Sequence, residues 1–167
     1  NLKNIARPVD SVYPQSMEKL GQGYGYILYE SQLKYEGPIE KIRLWGANDR
    51  ANLFVDEKSV LTLYDRELLT EYEFTEPVQK GDKISILMEN MGRVNFGPAL
   101  EQQRKGIDRS VQINGHQHYH WTEYCLPMED LSGLDFQVPV KEGEPGFYKF
   151  TFEADETGDT FLDFSGW

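Results

Sequence analysis

Lys83-Ile84-Ser85-Ile86-Leu87-Met88-Glu89 runs directly into Asn90-Met91-Gly92-Arg93-Val94-Asn95-Phe96-Gly97, and this stretch decides how the chain reads. The apolar run Ile84–Met88 alternates poorly, which predicts a strand buried on both faces. The chemistry then changes abruptly. Two glycines five residues apart permit backbone angles that a side chain forbids. Both asparagines can tie a turn to their own backbone, and Arg93 sets five fixed donors in its middle. A loop so closely specified after a core strand is read in two ways. It is a tight structural turn with a capped arginine, or it is a working loop carried by a rigid scaffold.

The same pattern repeats on both sides of this strand. Gly21–Glu30, Ile39–Trp45, Ala51–Asp56 and Ser59–Asp65 read as strands, the last two joined by Asp56-Glu57-Lys58 as a hairpin. In that hairpin Leu53 and Val55 should meet Leu61 and Leu63. Tyr72–Thr75 is expected as a short edge strand ended by Pro77 and Gly81. Val111–Gly115 and His120–Leu126 follow as strands, and Pro98–Gly106 has the composition of a short helix of about two turns. Short strands about ten residues apart, with almost no helix, indicate an all-β fold, an antiparallel β-sandwich. Residues 12–127 form this domain. Residues 1–11 and 128–145 read as linkers, the second acidic and broken by Gly133, Pro139, Gly143 and Pro145. Phe147–Glu153 alternates cleanly and with Thr160–Phe164 predicts extra C-terminal strands in 146–167. Two strands are not stable alone, so they pack back on the first sandwich or begin a second one. The chain is expected to be a piece of something longer.

Composition narrows the partners. The 167 residues carry a net charge of −11, with 28 acidic against 17 basic side chains. That balance argues against nucleic acid and against an anionic membrane surface. Neutral, hydroxyl-rich or cationic ligands stay open. Cys125 is alone, so neither an internal disulfide nor a thiolate zinc cluster is expected. With no Asn-x-Ser/Thr acceptor and no opening signal segment, the reading leans towards a reducing, cytoplasmic setting.

The chemistry-bearing residues are few. His116, His118 and His120 stand at alternate positions, a workable zinc geometry on a strand. The first and third would lie ~13 Å apart by strand rise, and Gly115 suggests a turn. No metal and no cofactor are expected. No serine, cysteine or lysine sits in a recognisable nucleophile setting, and carboxylates close in an acidic sequence do not identify a glycosidase pair. No catalytic residue is assigned in this chain. Among the aromatics most belong to strand patterns, while Trp45, Phe96 and Trp121 are flanked by loops or strand ends. Trp45 and Trp121 are candidate sugar-stacking residues.

Several motifs in order carry a resemblance. Tyr13-Pro14-Gln15-Ser16-Met17-Glu18, Gly23–Tyr29, Asn48–Asp56, Glu89–Gly97, Lys105-Gly106-Ile107 and Trp121–Pro127 resemble the region after the catalytic barrel in the β-galactosidases of glycoside hydrolase family 35. The resemblance covers about residues 11–127. It resumes at Asp159–Trp167, which looks like the opening of the family's last sandwich. It implies a galactose-binding-domain-like jelly roll, preceded by a linker from the barrel and followed by the first strands of a truncated second sandwich. In the family, two glutamates of an (α/β)8 barrel hydrolyse terminal β-galactosides with retention. A barrel needs about 250 residues, so neither glutamate is carried over. The implied role is a non-catalytic support whose partner is its own barrel. Arg93 and Asn95 would fix the Glu89–Gly97 loop, and Phe96 would wall the substrate entrance. An independent galactose-binding module is the other reading, since the fold alone does not establish sugar binding.

Overall fold

The computed structural model describes residues 2–140 and 146–166; Asn1, residues 141–145 of the expected linker and Trp167 of the closing motif lie outside the described residues. The chain divides into two units, residues 1–134 and 135–167. The first contains β1 (Arg7–Ser11), β2 (Tyr26–Gln32), β3 (Ile39–Asn48), β4 (Arg50–Val55) and β5 (Lys58–Tyr64). It continues with β6 (Glu71–Val78), β7 (Lys83–Glu89), β8 (Gly106–Ile113), β9 (His116–His118) and β10 (Trp121–Leu126). They form a six-stranded sheet, β1-β10-β2-β7-β4-β5, and a four-stranded sheet, β6-β3-β8-β9. All pairings are antiparallel.

β7 is an interior strand, paired with β2 on one side and β4 on the other. Ile84, Ser85, Ile86, Leu87 and Met88 are all buried, as the poor alternation predicts. Ile84, Ile86 and Met88 join the main core with Ile27, Tyr29, Leu53, Ile42, Leu44, Val111 and Ile113. Leu87 joins a second, smaller cluster with Leu28 and Leu126, against which Leu2, Ile5, Tyr124 and Met128 pack. A sheet covered on one side only would leave Leu87 wet. Here the segment before β1 and the residues after β10 cover it.

That explains a departure from the expected linker at 1–11. Residues 2–5 form a 3-10 turn and Arg7–Ser11 form edge strand β1, in register with β10 (Arg7↔Cys125, Ser11↔Trp121). Polar sequence with a proline is compatible with an edge, where one backbone side stays free. The hairpin β4–β5 pairs Leu53 with Leu61 and Ala51 with Leu63, while Val55 faces Lys58. β6 is an edge strand, as expected, and runs through Pro77 to Val78. β2 starts at Tyr26 rather than Gly21, because Gly23 and Gly25 turn their carbonyls to Asn90 and Arg93 instead of to a ladder. The helix expected over 98–106 is reduced to a 3-10 turn at Leu100–Gln102. Ala99 and Leu100 alone cannot supply the apolar stripe that holds a helix on a core.

The second unit contains no strand among its described residues, 135–140 and 146–166, so the extra C-terminal strands do not form here. Alternation assigns two faces, but a strand exists only through ladder bonds to a neighbour. Tyr148, Phe150, Phe152, Phe161, Leu162 and Phe164 stand exposed.

Two points inside the sandwich are sharply constrained. Fully buried Tyr29 donates its hydroxyl to the Gln15 carbonyl (2.7 Å) and accepts from the Ile107 amide (2.9 Å). Gly106 lies beside it at φ +78, and a Cβ there would come within 2.4 Å of the Tyr29 hydroxyl. Gly106→Ala should therefore destabilise the chain by about 2–5 kcal/mol in urea unfolding, combining a left-handed backbone with overpacking. On β9, His118 is buried, with Nε2 2.8 Å from Ser31 Oγ and its ring edge-on to Trp121. Burial, with Lys34 and His120 nearby, pushes its pKa down to about 4. Between the ordinary histidine pKa near 6.5 and about 4 the unfolded chain binds a proton that the folded chain refuses. Stability should fall by up to about 3 kcal/mol on acidification through this window. His118→Gln should flatten that part of the stability–pH curve.

Candidate functional site

The loop that leaves β7 is exposed from Met91 to Leu100 but is tied down from beneath. The Asn90 amide donates to the Gly25 carbonyl (3.1 Å), and Asn90 Nδ2 donates to the Gly23 carbonyl (3.1 Å). Asn90 Oδ1 accepts from the Gly92 amide (3.0 Å), the local turn that asparagine favours. Gly92 and Gly97 adopt φ values of +116 and +134, which side chains avoid. Arg93 donates from Nε to the Gly23 carbonyl (2.9 Å) and pairs through Nη1 with Glu18 Oε1 (2.6 Å).

Under the loop lies a buried charge pair. Lys105 is 2% exposed, and its Nζ lies 2.6 Å from both carboxylate oxygens of Asp49. Asp49 Oδ2 also accepts from the Met91 amide (2.8 Å), so the same carboxylate grips the loop. The Lys105 amide in turn donates to both oxygens of Glu18 at 3.1 Å. Burial works against the charge of Glu18. The backbone amides of Glu18 and Lys105 and the Arg93 guanidinium outweigh it and hold its pKa below the usual value. Arg50 Nη1 and the Tyr26 hydroxyl bind the Glu89 carboxylate at 3.0 and 3.1 Å. Carboxylates engaged in this way hold a surface in place.

Neighbouring Glu123 has no exposure, and its Oε1 accepts from Ser11 Oγ (2.7 Å) and the Gln15 amide (2.8 Å). Burial pushes its pKa up, with Asp10 adding to the effect and Ser11, Gln15 and Lys19 opposing it.

The residues singled out from sequence fare differently. Arg93 anchors the loop, but Asn95 is exposed and makes no hydrogen bond among the described residues; Asn90 does the fixing expected of it. Phe96 is 93% exposed. Trp121 is 1% exposed in the main core, with Nε1 donating to the His118 carbonyl, so it offers no stacking face. A tryptophan at the start of a strand next to a turn reads as available from sequence. Here its side chain packs into the main core. Trp45 is half-buried, on β3, with the Arg43 guanidinium 3.7 Å from its ring centre. Of the histidines only 116 and 120 are exposed, and His120 leaves the strand at φ +68. No group of metal-ligating side chains is assembled among the described residues.

Sequence reasoning missed Glu18, Asp49 and Lys105 as partners. Each lies in one of the motifs that carry the family resemblance, and residues of five of those motifs, Glu18, Gly23, Asp49, Arg93 and Lys105, meet here. Lys105→Met should leave the Asp49 carboxylate largely buried without its counter-charge and cost about 3 kcal/mol in urea unfolding. Adding Asp49→Asn should recover much of the loss, and a double-mutant cycle measures the coupling.

Comparison with known proteins bears on the whole of this unit. Residues 14–127 match the family model described as "Beta-galactosidase, first all-beta domain". The chain is 31% identical to Beta-galactosidase 1 of Dictyostelium discoideum over 92% of its own length and 26% of the relative's. It is 32% identical to Beta-galactosidase-1-like protein 2 of Homo sapiens over 99% of its length and 27% of the relative's. The mouse Beta-galactosidase is 31% identical, over 96% of this chain and 28% of that protein. The chain thus spans about a quarter of the length of the relatives it matches. An all-β unit matched over most of its strands leads to one assignment: the chain belongs to the β-galactosidase family, as its first all-β domain.

Proposed function

We propose that this chain is a non-catalytic ancillary β-sandwich that supports the catalytic barrel of a β-galactosidase and presents the loop after β7 to the barrel's substrate entrance. The observation that carries the reading is a mismatch between anchoring and exposure. The loop is held by Arg93, Asn90 and the Asp49–Lys105 pair. Yet it turns Met91, Val94, Phe96 and Leu100 outward, at 53, 55, 93 and 43% exposure. Rigid apolar side chains gathered on one loop mark a surface that another surface covers. The parent enzyme would cleave terminal β-galactosides with retention, its two carboxyl groups about 5–5.5 Å apart in the barrel. Residues 146–166, with their exposed aromatics, are read as the first strands of a second sandwich, formed when their partner strands are present.

Phe96 would supply an apolar wall beyond the galactose ring. In the full-length enzyme, Phe96→Ala should shift kcat/KM among β-1,3, β-1,4 and β-1,6 galactosides by about 3- to 30-fold, the scale of one apolar contact at the transition state. The 167-residue chain alone should release nothing from a chromogenic β-galactoside. Identical kinetics on every linkage would remove Phe96 from the entrance. Turnover by the isolated chain would end the non-catalytic reading.

A further inference from the structure

The edge of the four-stranded sheet at β9 carries two shallow depressions, of about 340 and 280 Å³, that share Gln117. One is bounded by Lys34, Tyr35, Tyr119 and the histidines of the β9 region, the other by Tyr13, Trp45, Arg109 and Gln112. Among the described residues no aspartate or glutamate lines either one, in a chain with 28 acidic side chains. Lys34 and Arg109 are exposed, and no carboxylate pairs with either among the described residues. The Arg109 stem lies along Gly46, where a Cβ would come within 3.1 Å of its Cγ, so the chain approaches Arg109 closely at the bulge between β3 and β8.

The aromatic groups at this edge hold one another in place. Tyr13 and Tyr119 meet edge to face at 5.4 Å, Tyr35 leans on the His116 ring at 5.7 Å, and Arg43 is stacked on Trp45. Gln112 and Gln117 lie opposite each other in the β8–β9 register, each able to donate and accept. Rings for pyranose faces, amides for hydroxyls and two separate unpaired cations make one consistent set of contacts. We propose that this edge is a binding groove for an acidic oligosaccharide, with uronate carboxylates meeting Arg109 and Lys34 and sugar rings resting on the tyrosines and Trp45.

The alternatives fit less well. A nucleic acid carries a charge on every unit and would meet the negative remainder of the surface. An acidic peptide adding as a strand needs a long free edge, and β9 offers three residues. The groove lies at β9, whereas the anchored loop follows β7, so this inference stands or falls independently of barrel docking.

The test is titration of the 167-residue chain, followed by calorimetry and amide chemical shifts, with three probes: galacturonate trisaccharide, its neutral galactose counterpart and polyglutamate. The galacturonate trisaccharide should bind at least tenfold more tightly than the neutral sugar, as a charge-assisted contact would give, and should shift the amides of Gln112 and Gln117. Arg109→Gln should abolish that preference, Tyr119→Ala should weaken both sugars, and Phe96→Ala should change neither. Thermal unfolding verifies that each variant is folded. No shift with the galacturonate trisaccharide at 10-millimolar order, an unchanged preference in Arg109→Gln, or equal binding of polyglutamate would each overturn the proposal.

Discussion

An ammonium group that is 2% exposed must be neutralised where it lies, and the Lys105–Asp49 pair is the contact on which this end of the molecule depends. Its position explains why. Asp49 occupies the crossing from β3 in one sheet to β4 in the other, and Lys105 enters β8. The same carboxylate takes the amide of Met91, just beyond β7. One ion pair therefore fastens both sheets and the exposed loop at a single point. The Arg93–Glu18 pair, with each side chain about a quarter to a third exposed, adds direction rather than much stability.

From that point the molecule divides its work. The β7 core strand, covered on both faces, supplies rigidity, and the loop that comes after it carries apolar groups outward on a fixed base. The entropy of ordering the loop is thereby spent during folding, as the proposed support of a larger partner would require. The β9 edge is built differently. Rings, amides and cations line it, and among the described residues no aspartate or glutamate does.

The residue pattern made much of this architecture readable. Ile84–Met88 implied a doubly covered strand, and Leu53 against Leu61 followed from alternation and a short turn, because both depend on neighbours within one or two strands. The family resemblance was readable as motifs, but not as a site. Glu18 and Lys105 are 87 residues apart, and Asp49 and Lys105 are 56 apart. No local pattern tells a lysine that it will be buried. The same is true of Trp121, which is buried among the residues of the main core.

Periodic and local features were therefore legible from residue order alone: an all-β sandwich, its central strand, its main hairpin, and a turn built from glycine, asparagine and arginine. What is non-local came from the assembled sheets. Folding placed Arg7–Ser11 in the sheet, put Trp121 in the core, left Asn95 free while Asn90 took its part, and gave the alternating residues 146–166 no strand. The physical reason is common to all four. Burial and hydrogen-bond partners are properties of a pair of surfaces, and one stretch of chain specifies only its own side of the pair.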